Sequence, residues 1–203
     1  MSKKPLIVFE GIEGSGKSYH ISNVSEYLKK KKIDHIKLRE PGGSANSEKI
    51  RKLILSKDSV FNKETDLLLY LAARSENIKL INKHYGKKVI LLDRFTDSTI
   101  AYQHYGLGVN LKLINTINQY LLKNIKINFT FLNIVNKKNM FKRLKVRKSL
   151  NRYDKFNNLF YQKVQNGFLK LSNKNKRKYL IVDSNLDIKQ NKSLIIKKIE
   201  QLI

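Results

Sequence analysis

The chain has 203 residues, no cysteine and a net charge of +26, from 42 Lys and Arg against 16 Asp and Glu. That length suits one domain with its own core. The missing cysteines exclude disulfides and thiolate metal sites and favour a reducing, cytoplasmic setting. The longest apolar run, at 67–73, is too short to cross a bilayer, so we expect no membrane-spanning segment.

The strong positive charge is spread along the whole chain and is not gathered in one tract. Such a charge is compatible with nucleic-acid binding. However, Lys is abundant throughout, and no aromatic-flanked RNA motif occurs. We therefore expect no specific nucleic-acid partner and interpret the charge as a general aid to binding anions. A basic nucleic-acid-binding protein is the less favoured alternative.

The apolar pattern predicts strands and helices in alternation. Short apolar runs predict five strands, at 5–11, 35–43, 87–94, 128–134 and 178–184. Apolar residues at spacings of three and four predict helices at 16–32, 46–56, 64–84, 97–104, 110–124, 137–147 and 157–171, and one more after 187. This alternation predicts an α/β fold, a five-stranded parallel sheet covered by helices on both faces. No repeat or linker divides the chain, so we expect one domain over 1–203.

The glycine-rich stretch GIEGSGKS lies between the first predicted strand and the first predicted helix. It matches the phosphate-binding pattern G-x-x-x-x-G-K-[ST], in the context that the pattern requires. Glycines let backbone N–H groups turn inward around a phosphate, and the helix N-terminus adds positive charge. We therefore predict a three-layer P-loop NTPase fold, with ATP bound by Gly11, Ile12, Glu13, Gly14, Ser15, Gly16, Lys17 and Ser18.

Two side chains near this loop suit a magnesium ion. The Ser18 hydroxyl ends the motif, where P-loop proteins bind Mg²⁺. Asp93 ends the strand VILLD, so its carboxylate should lie at the carboxyl edge of the sheet beside the loop. We therefore predict Mg²⁺ at Ser18 and Asp93, with Lys17 reaching the β- and γ-phosphates of ATP.

The arginines indicate a kinase with a phosphorylated acceptor. The guanine-binding N-K-x-D box and the D-x-x-G switch of GTPases are both absent. Two anionic ligands repel each other, so such a kinase needs cations around its cleft, and guanidinium groups suit phosphate best. Arginines fall near predicted strand ends, on the following helices, or around a polar connection at 147–158, namely Arg39, Arg51, Arg74, Arg94, Arg143, Arg147 and Arg152. Another P-loop nucleotide or nucleoside kinase is the main alternative.

Several further stretches resemble one family. FEGIEGSGKS, LREPGGS, IRKLIL, LYLAAR and LLDRFTDSTIAYQ together resemble the bacterial thymidylate kinases, in order and spacing, and FYQKVQNGFLKL also fits. The resemblance implies transfer of the γ-phosphoryl group of ATP to dTMP, with Mg²⁺, in the cytoplasm, by a homodimer. It also implies that 147–158 is a mobile lid.

The resemblance assigns roles by position. It implies that Arg51, Arg74 and Arg94 hold the acceptor's monophosphate and that Tyr70, in place of the usual phenylalanine, stacks on its base. Thr99 and Gln103 then lie at the pyrimidine edge, Tyr102 against the deoxyribose and Glu13 near the 3′-hydroxyl.

The catalytic roles follow the same resemblance. The implied catalytic residues are Lys17, Arg147, Glu13 and Arg94, with Arg143 and Arg147 also on the ATP phosphates. In this arrangement the lid supplies an arginine that the P-loop lacks. Asn151 and Asp154 depart from the usual lid residues.

Overall fold

Five parallel strands form the central sheet of the structure, a computed structural model that describes residues 3–146 and 151–203. The strands are β1 (Leu6–Glu10), β2 (His35–Arg39), β3 (Val89–Asp93), β4 (Phe129–Ile134) and β5 (Tyr179–Asp183). Their spatial order is β2-β3-β1-β4-β5, and every neighbouring pair is parallel. The predicted α/β fold with a five-stranded parallel sheet is confirmed.

Helices connect the strands along the whole chain. They are α1 (Lys17–Lys30), α2 (Ala45–Leu55), α3 (Lys63–His84), α4 (Thr96–Thr99, continuing as a π-helix over Ile100–Gly106), α5 (Leu111–Leu122), α6 (Lys137–Lys145), α7 (Asn158–Lys174) and α8 (Ile188–Glu200). Short 3₁₀ turns lie at Arg152–Lys155 and Lys176–Lys178. Among the residues that the model describes, no helix has the length and apolarity needed to cross a bilayer.

Alternate residues of the strands supply two separate cores. Ile7 and Phe9 of β1 pack with α1 and α8 on one face of the sheet, whereas Leu6 and Val8 pack with Ile81 of α3 on the other. This is the two-residue period of a strand buried on both faces. The result is a rigid central strand whose carboxyl end carries the glycine loop.

The helix after β3 differs from its prediction. The sequence predicts an ordinary helix over 97–104, but only Thr96–Thr99 is α-helical and the chain then winds as a π-helix to Gly106. Insertions of this kind occur frequently at functional sites. Here the π-helical turn carries Tyr102 and Gln103, both buried and both at the main cavity.

The part of the predicted lid that the model describes is folded against the protein. The polar sequence predicts a mobile lid over 147–158, and its mobility stays a prediction. In the described part, Asn151 and Asp154 form a reciprocal cap on the 3₁₀ turn, and Tyr153 is buried among the aromatic rings of Tyr70, Tyr102 and Phe156. The buried ring of Tyr153, together with Phe156, thus packs an otherwise polar segment against the core.

Candidate active site

The glycine loop leaves the carboxyl end of β1, which lies between β3 and β4 in the sheet. At this point the strands that follow along the chain are added on opposite sides of β1. Ligands of open α/β sheets bind at such a point. Gly11 has φ 137°, and a Cβ there would clash with the carbonyl oxygen of Asn133. Gly16, with φ 85°, forms the N-cap of α1. Both positions therefore require glycine, which turns the loop tightly over the N-terminus of α1.

Lys17 lies inside this loop. Its Nζ donates to the carbonyl oxygens of Gly11 and Ile12, at 2.8 and 2.9 Å, and to Ser15 Oγ at 3.3 Å. Burial, together with the nearby charge of Arg94, lowers the pKa of Lys17 to about 8, although Asp93 and Glu13 act in the opposite direction. The ammonium group is thus held by weak neutral acceptors, which an anionic phosphate can replace.

Ser18 and Asp93 lie next to each other, as the sequence predicts. Ser18 Oγ donates to Asp93 Oδ2 at 3.2 Å, and both side chains line the main cavity. Hydroxyl and carboxylate oxygens are ligands that Mg²⁺ accepts, usually together with phosphate oxygens and water. In residues 3–146 and 151–203 no group of three or more His, Cys, Asp and Glu could hold a metal. The pair therefore fits a magnesium ion that is carried mainly by the nucleotide.

One cavity of about 350 Å³ joins the glycine loop to the predicted acceptor residues. The predicted residues that line it are Glu13, Gly14, Ser15, Gly16, Lys17, Ser18, Arg51, Tyr70, Arg74, Asp93, Arg94, Thr99, Tyr102, Gln103 and Arg143. Gly11 and Ile12, at the start of the loop, do not line the cavity, and Ile12 is a core residue. Arg147 lies outside the residues that the model describes.

Arg74 is the largest fully buried side chain of the site, at 2 % exposure. Its Nε donates to Glu40 Oε2 at 2.8 Å, Nη1 to Asn118 Oδ1 at 2.6 Å and Nη2 to Thr99 Oγ1 at 2.9 Å. Burial raises the pKa of Glu40, and the ion pair with Arg74 opposes that shift. These bonds fix the guanidinium while leaving two of its five N–H donors for a ligand.

Arg94 follows β3 directly and has φ 67°, a left-handed conformation that few non-glycine residues adopt. Its Nη1 donates to the Gly11 carbonyl oxygen at 2.9 Å, and its Nη2 donates to Glu13 Oε1 at 2.9 Å. The guanidinium also stacks on the Tyr102 ring, 5.0 Å from the centroid. Strained backbone of this kind is common at functional sites, and here it places a cation between the loop and the cavity.

Glu13 and Tyr102 form the next contact along the cavity wall. The Tyr102 hydroxyl donates to Glu13 Oε2 at 2.5 Å. Burial raises the pKa of Glu13, but the charges of Arg94 and Lys17 outweigh it and hold that pKa below its usual value. Glu13 is therefore an anion that neutralises part of the positive charge.

Arg51 and Arg143 occupy opposite ends of the cavity. Arg51 Nη1 donates to the Pro41 carbonyl oxygen at 2.5 Å. Arg143 Nη1 donates to the Gly14 carbonyl oxygen at 2.8 Å and Nη2 to that of Ser184 at 2.7 Å. Arg143 thus ties the glycine loop to the end of β5, a contact that the sequence does not indicate.

Tyr70, Thr99 and Gln103 enclose the acceptor end of the cavity. Tyr70 packs edge-on against Tyr153, with ring centroids 6.1 Å apart. Burial, followed by the negative charge of Asp66, raises the pKa of Tyr70 above its usual range, so its ring is neutral. Gln103 Nε2 donates to Asp66 Oδ2 at 3.1 Å. The structure therefore brings a neutral ring and two hydrogen-bonding side chains together.

The sequence reasoning missed several buried polar partners. Glu10 accepts hydrogen bonds from Phe95 N at 2.8 Å and Ser98 Oγ at 2.5 Å, which anchors α4 to the end of β1. Burial, with the charge of Asp97, raises the pKa of Glu10 to about 7. The sequence likewise indicates no role for three other buried partners, which are Glu40, Asp66 and Asn118. The available signal was a charged residue within an apolar pattern, as at Asp66 beside Leu67.

Comparison with known proteins agrees with this geometry. A family model described as thymidylate kinase matches residues 9–195. The chain is 38 % identical over 185 residues to a thymidylate kinase of Thermosipho africanus, covering 90 % of this chain and 91 % of the relative. It is 36 % identical over 199 residues to one of a Sulfurihydrogenibium species, covering 97 % of each.

A solved structure shows the same likeness in three dimensions. The crystal structure of thymidylate kinase from Ehrlichia chaffeensis superposes with a TM-score of 0.79 at 29 % identity, over 98 % of this chain and 99 % of that one. The chain therefore belongs to the thymidylate kinase family, a family of ATP-dependent nucleoside monophosphate kinases.

Proposed function

We propose that the protein transfers the γ-phosphoryl group of ATP to dTMP, giving dTDP and ADP. The observation that carries the proposal is that one cavity has the glycine loop at one end and Arg51 and Arg74 toward the other, with Arg94 between them. Two phosphorylated ligands can meet there end to end. Family membership supplies the identity of the nucleotides.

The reaction needs no strong general base. An oxygen of the dTMP phosphate, already an anion, forms a bond to the γ-phosphorus as the bond to the β–γ bridging oxygen breaks and ADP leaves. The protein's main contributions are alignment of the two phosphates and stabilisation of negative charge. Lys17 serves the transferring group, and Arg94 holds the acceptor phosphate with Arg51 and Arg74.

The remaining residues have supporting roles in this proposal. When bound with ATP at Ser18 and Asp93, Mg²⁺ supplies charge neutralisation on the phosphates. Glu13, already paired with Arg94 and Tyr102, lies near the acceptor sugar, and Tyr70 stacks on the base. Arg143 supports the ATP end of the loop. Arg147, which belongs to the proposed lid at 147–158, reaches the ATP phosphates when that lid closes.

The same proposal covers the organisation of the protein. We propose that 1–203 is one kinase domain, that it acts in the cytoplasm and that it forms a homodimer. Analytical ultracentrifugation tests the dimer: a species of twice the 23.8 kDa chain mass is expected, and a monomer at micromolar concentration would contradict it.

The decisive experiment is an ADP-release assay with Mg-ATP and a panel of acceptors. We expect dTMP to be far better than dCMP, AMP, GMP and thymidine. Equal use of another monophosphate would instead favour a different nucleotide kinase, and release of ADP that no acceptor stimulates would contradict the proposal. Replacing Arg147 by alanine should lower kcat strongly and leave the KM for dTMP nearly unchanged.

A further inference from the structure

Asp66 joins the acceptor end of the cavity to the lid. It lies in the first turn of α3, four residues before Tyr70, and is 2 % exposed. Its Oδ2 accepts from Gln103 Nε2 at 3.1 Å and from the Tyr153 hydroxyl at 2.5 Å, and its Oδ1 accepts from Arg152. One buried carboxylate therefore accepts hydrogen bonds from the π-helical segment that continues α4 and from the 3₁₀ turn of the lid.

This contact fixes which way the amide of Gln103 faces. Asp66 is ion-paired with Arg152, and a carboxylate in an ion pair only accepts hydrogen bonds, so the NH₂ group of Gln103, and not its carbonyl, faces Asp66. The Tyr153 hydroxyl, 3.4 Å from Nε2, lies on the same side. The two ends of an amide point in different directions, so Gln103 presents Oε1, an acceptor, to a ligand in the cavity that it lines.

Thr99, one turn earlier on α4, is fixed in the complementary sense. Arg74 Nη2 donates to Thr99 Oγ1 at 2.9 Å. Because the hydroxyl oxygen already accepts that bond, its proton is available for an acceptor on the ligand. The wall therefore offers a donor at Thr99 beside an acceptor at Gln103. This pair matches thymine, which has a ring carbonyl next to a ring N–H. It does not match cytosine in the same position, because cytosine has an amino group next to an unprotonated ring nitrogen.

We propose that Asp66 is a positioning residue that sets the base selectivity of the acceptor site by holding the amide of Gln103 in one orientation. The inference rests on the proposed function, because it concerns the acceptor of that reaction. Without the carboxylate, Gln103 can turn its NH₂ toward the ligand at little cost. A cytosine base is then accepted more readily, and a thymine base loses its fixed acceptor.

The test compares kcat/KM for dTMP and for dCMP in three variants. We expect Asp66→Asn to lower the dTMP:dCMP ratio by about tenfold or more, because an amide at 66 accepts either orientation of Gln103. Asp66→Glu keeps the carboxylate and should retain most of the ratio. Tyr153→Phe removes the lid's hydroxyl, with its contacts to Asp66 and its long contact to Gln103 Nε2, but keeps the carboxylate that orients the amide. Whatever this variant does to turnover, the ratio should therefore stay within about threefold.

A purely structural role for Asp66 predicts a different result, in which the rates with both nucleotides fall together and the ratio is unchanged. That outcome, or an equal loss of ratio in Tyr153→Phe, overturns the inference. If Asp66→Asn does not fold, Asp66→Ser also removes the carboxylate but leaves a smaller polar side chain, and we expect the same loss of the dTMP:dCMP ratio. If the wild-type protein shows no dTMP-stimulated ADP release, the proposed function fails and the inference with it. An unchanged ratio in an active Asp66→Asn enzyme refutes the inference alone.

Discussion

The two ends of the cavity are built on different principles. The ATP end is one continuous stretch, Gly11 to Ser18, whose turn and helix N-terminus supply backbone N–H groups for phosphate. The acceptor end combines side chains from α2, from α3, from the residue that follows β3, and from α4 with its π-helical continuation. There Arg74 is held by partners far away in the sequence, namely Glu40, Asn118 and Thr99.

This difference has an energetic consequence. A nest of backbone groups needs only glycine and the correct turn, so it tolerates changes elsewhere in the chain. A buried guanidinium requires its counterion, because an unpaired charge in the interior is costly. We therefore expect changes at the ATP end to affect catalysis chiefly, and changes at the acceptor end to affect stability and selectivity as well. Four predictions test that contrast.

The largest effect is expected for Lys17→Met at the ATP end. The variant removes the cation that serves the transferring phosphoryl group, so kcat should fall by about 10²–10³-fold, the range for one such electrostatic contact. The free energy of unfolding should not fall, because burial already disfavours the charge that is removed. Steady-state ADP release at saturating substrates measures kcat. Lys29→Met, an exposed site on the same helix, is the control, and a similar loss there would contradict the assignment.

At the acceptor end, Glu40→Gln should act mainly on stability. Arg74 keeps an acceptor for its Nε but loses its buried counterion, so we expect the free energy of unfolding to fall by ~3 kcal/mol. Urea denaturation followed by circular dichroism measures the change. Asp34→Asn is the matched control. It breaks an exposed ion pair with Lys88, at 3.7 Å, and should cost at most ~0.5 kcal/mol. Equal losses in both variants would show that burial of the pair is unimportant.

The third prediction concerns pH at the ATP end. With its pKa lowered to about 8, Lys17 in the free enzyme loses its charge above that pH. The value of kcat/KM for ATP should then fall about tenfold per pH unit.

Stability should change in the opposite sense. Between about pH 8 and the ordinary value of 10.5, the unfolded chain binds a proton that the folded chain has released. This group's contribution to stability is therefore fully present above 10.5 and is lost as the pH falls through about 8. If kcat/KM for ATP stayed constant up to pH 10, the lowered pKa of Lys17 would be refuted.

The smallest effect is expected for Tyr70→Phe at the acceptor end. The aromatic face that stacks on the base is kept, so the KM for dTMP should change by no more than about threefold. Tyr70→Leu removes that face and should raise the KM by about tenfold, in line with ~0.5–1.5 kcal/mol for a ring contact. Steady-state kinetics at saturating ATP measure both. If Phe and Leu gave the same KM, stacking at this position would be excluded.

The sequence predicted the ATP end more completely than the acceptor end. The strand-loop-helix context of GIEGSGKS was enough to predict the placement of Lys17 and Ser18. Asp93 could be placed beside them because the carboxyl ends of parallel strands share one edge of the sheet. The placement of Arg51 and Arg74 near strand ends and on the following helices indicated a phosphate site, but their specific acceptor role, and the roles of Tyr70 and Gln103, came from the resemblance. The structure brings these residues to one cavity, and their individual roles stay predictions.

By itself, the sequence determined the order of strands and helices along the chain, the parallel character of the sheet and the phosphate loop. These features depend on residues close together in the chain, through apolar periodicity and the turn preferences of glycine. Only the tertiary structure decided which buried charges meet. Glu40 and Arg74, or Asp66 and Gln103, are more than thirty residues apart, and no local pattern specifies such a pair. Their contact follows from strand order and helix packing, because a buried charge is tolerated only where the fold supplies its partner.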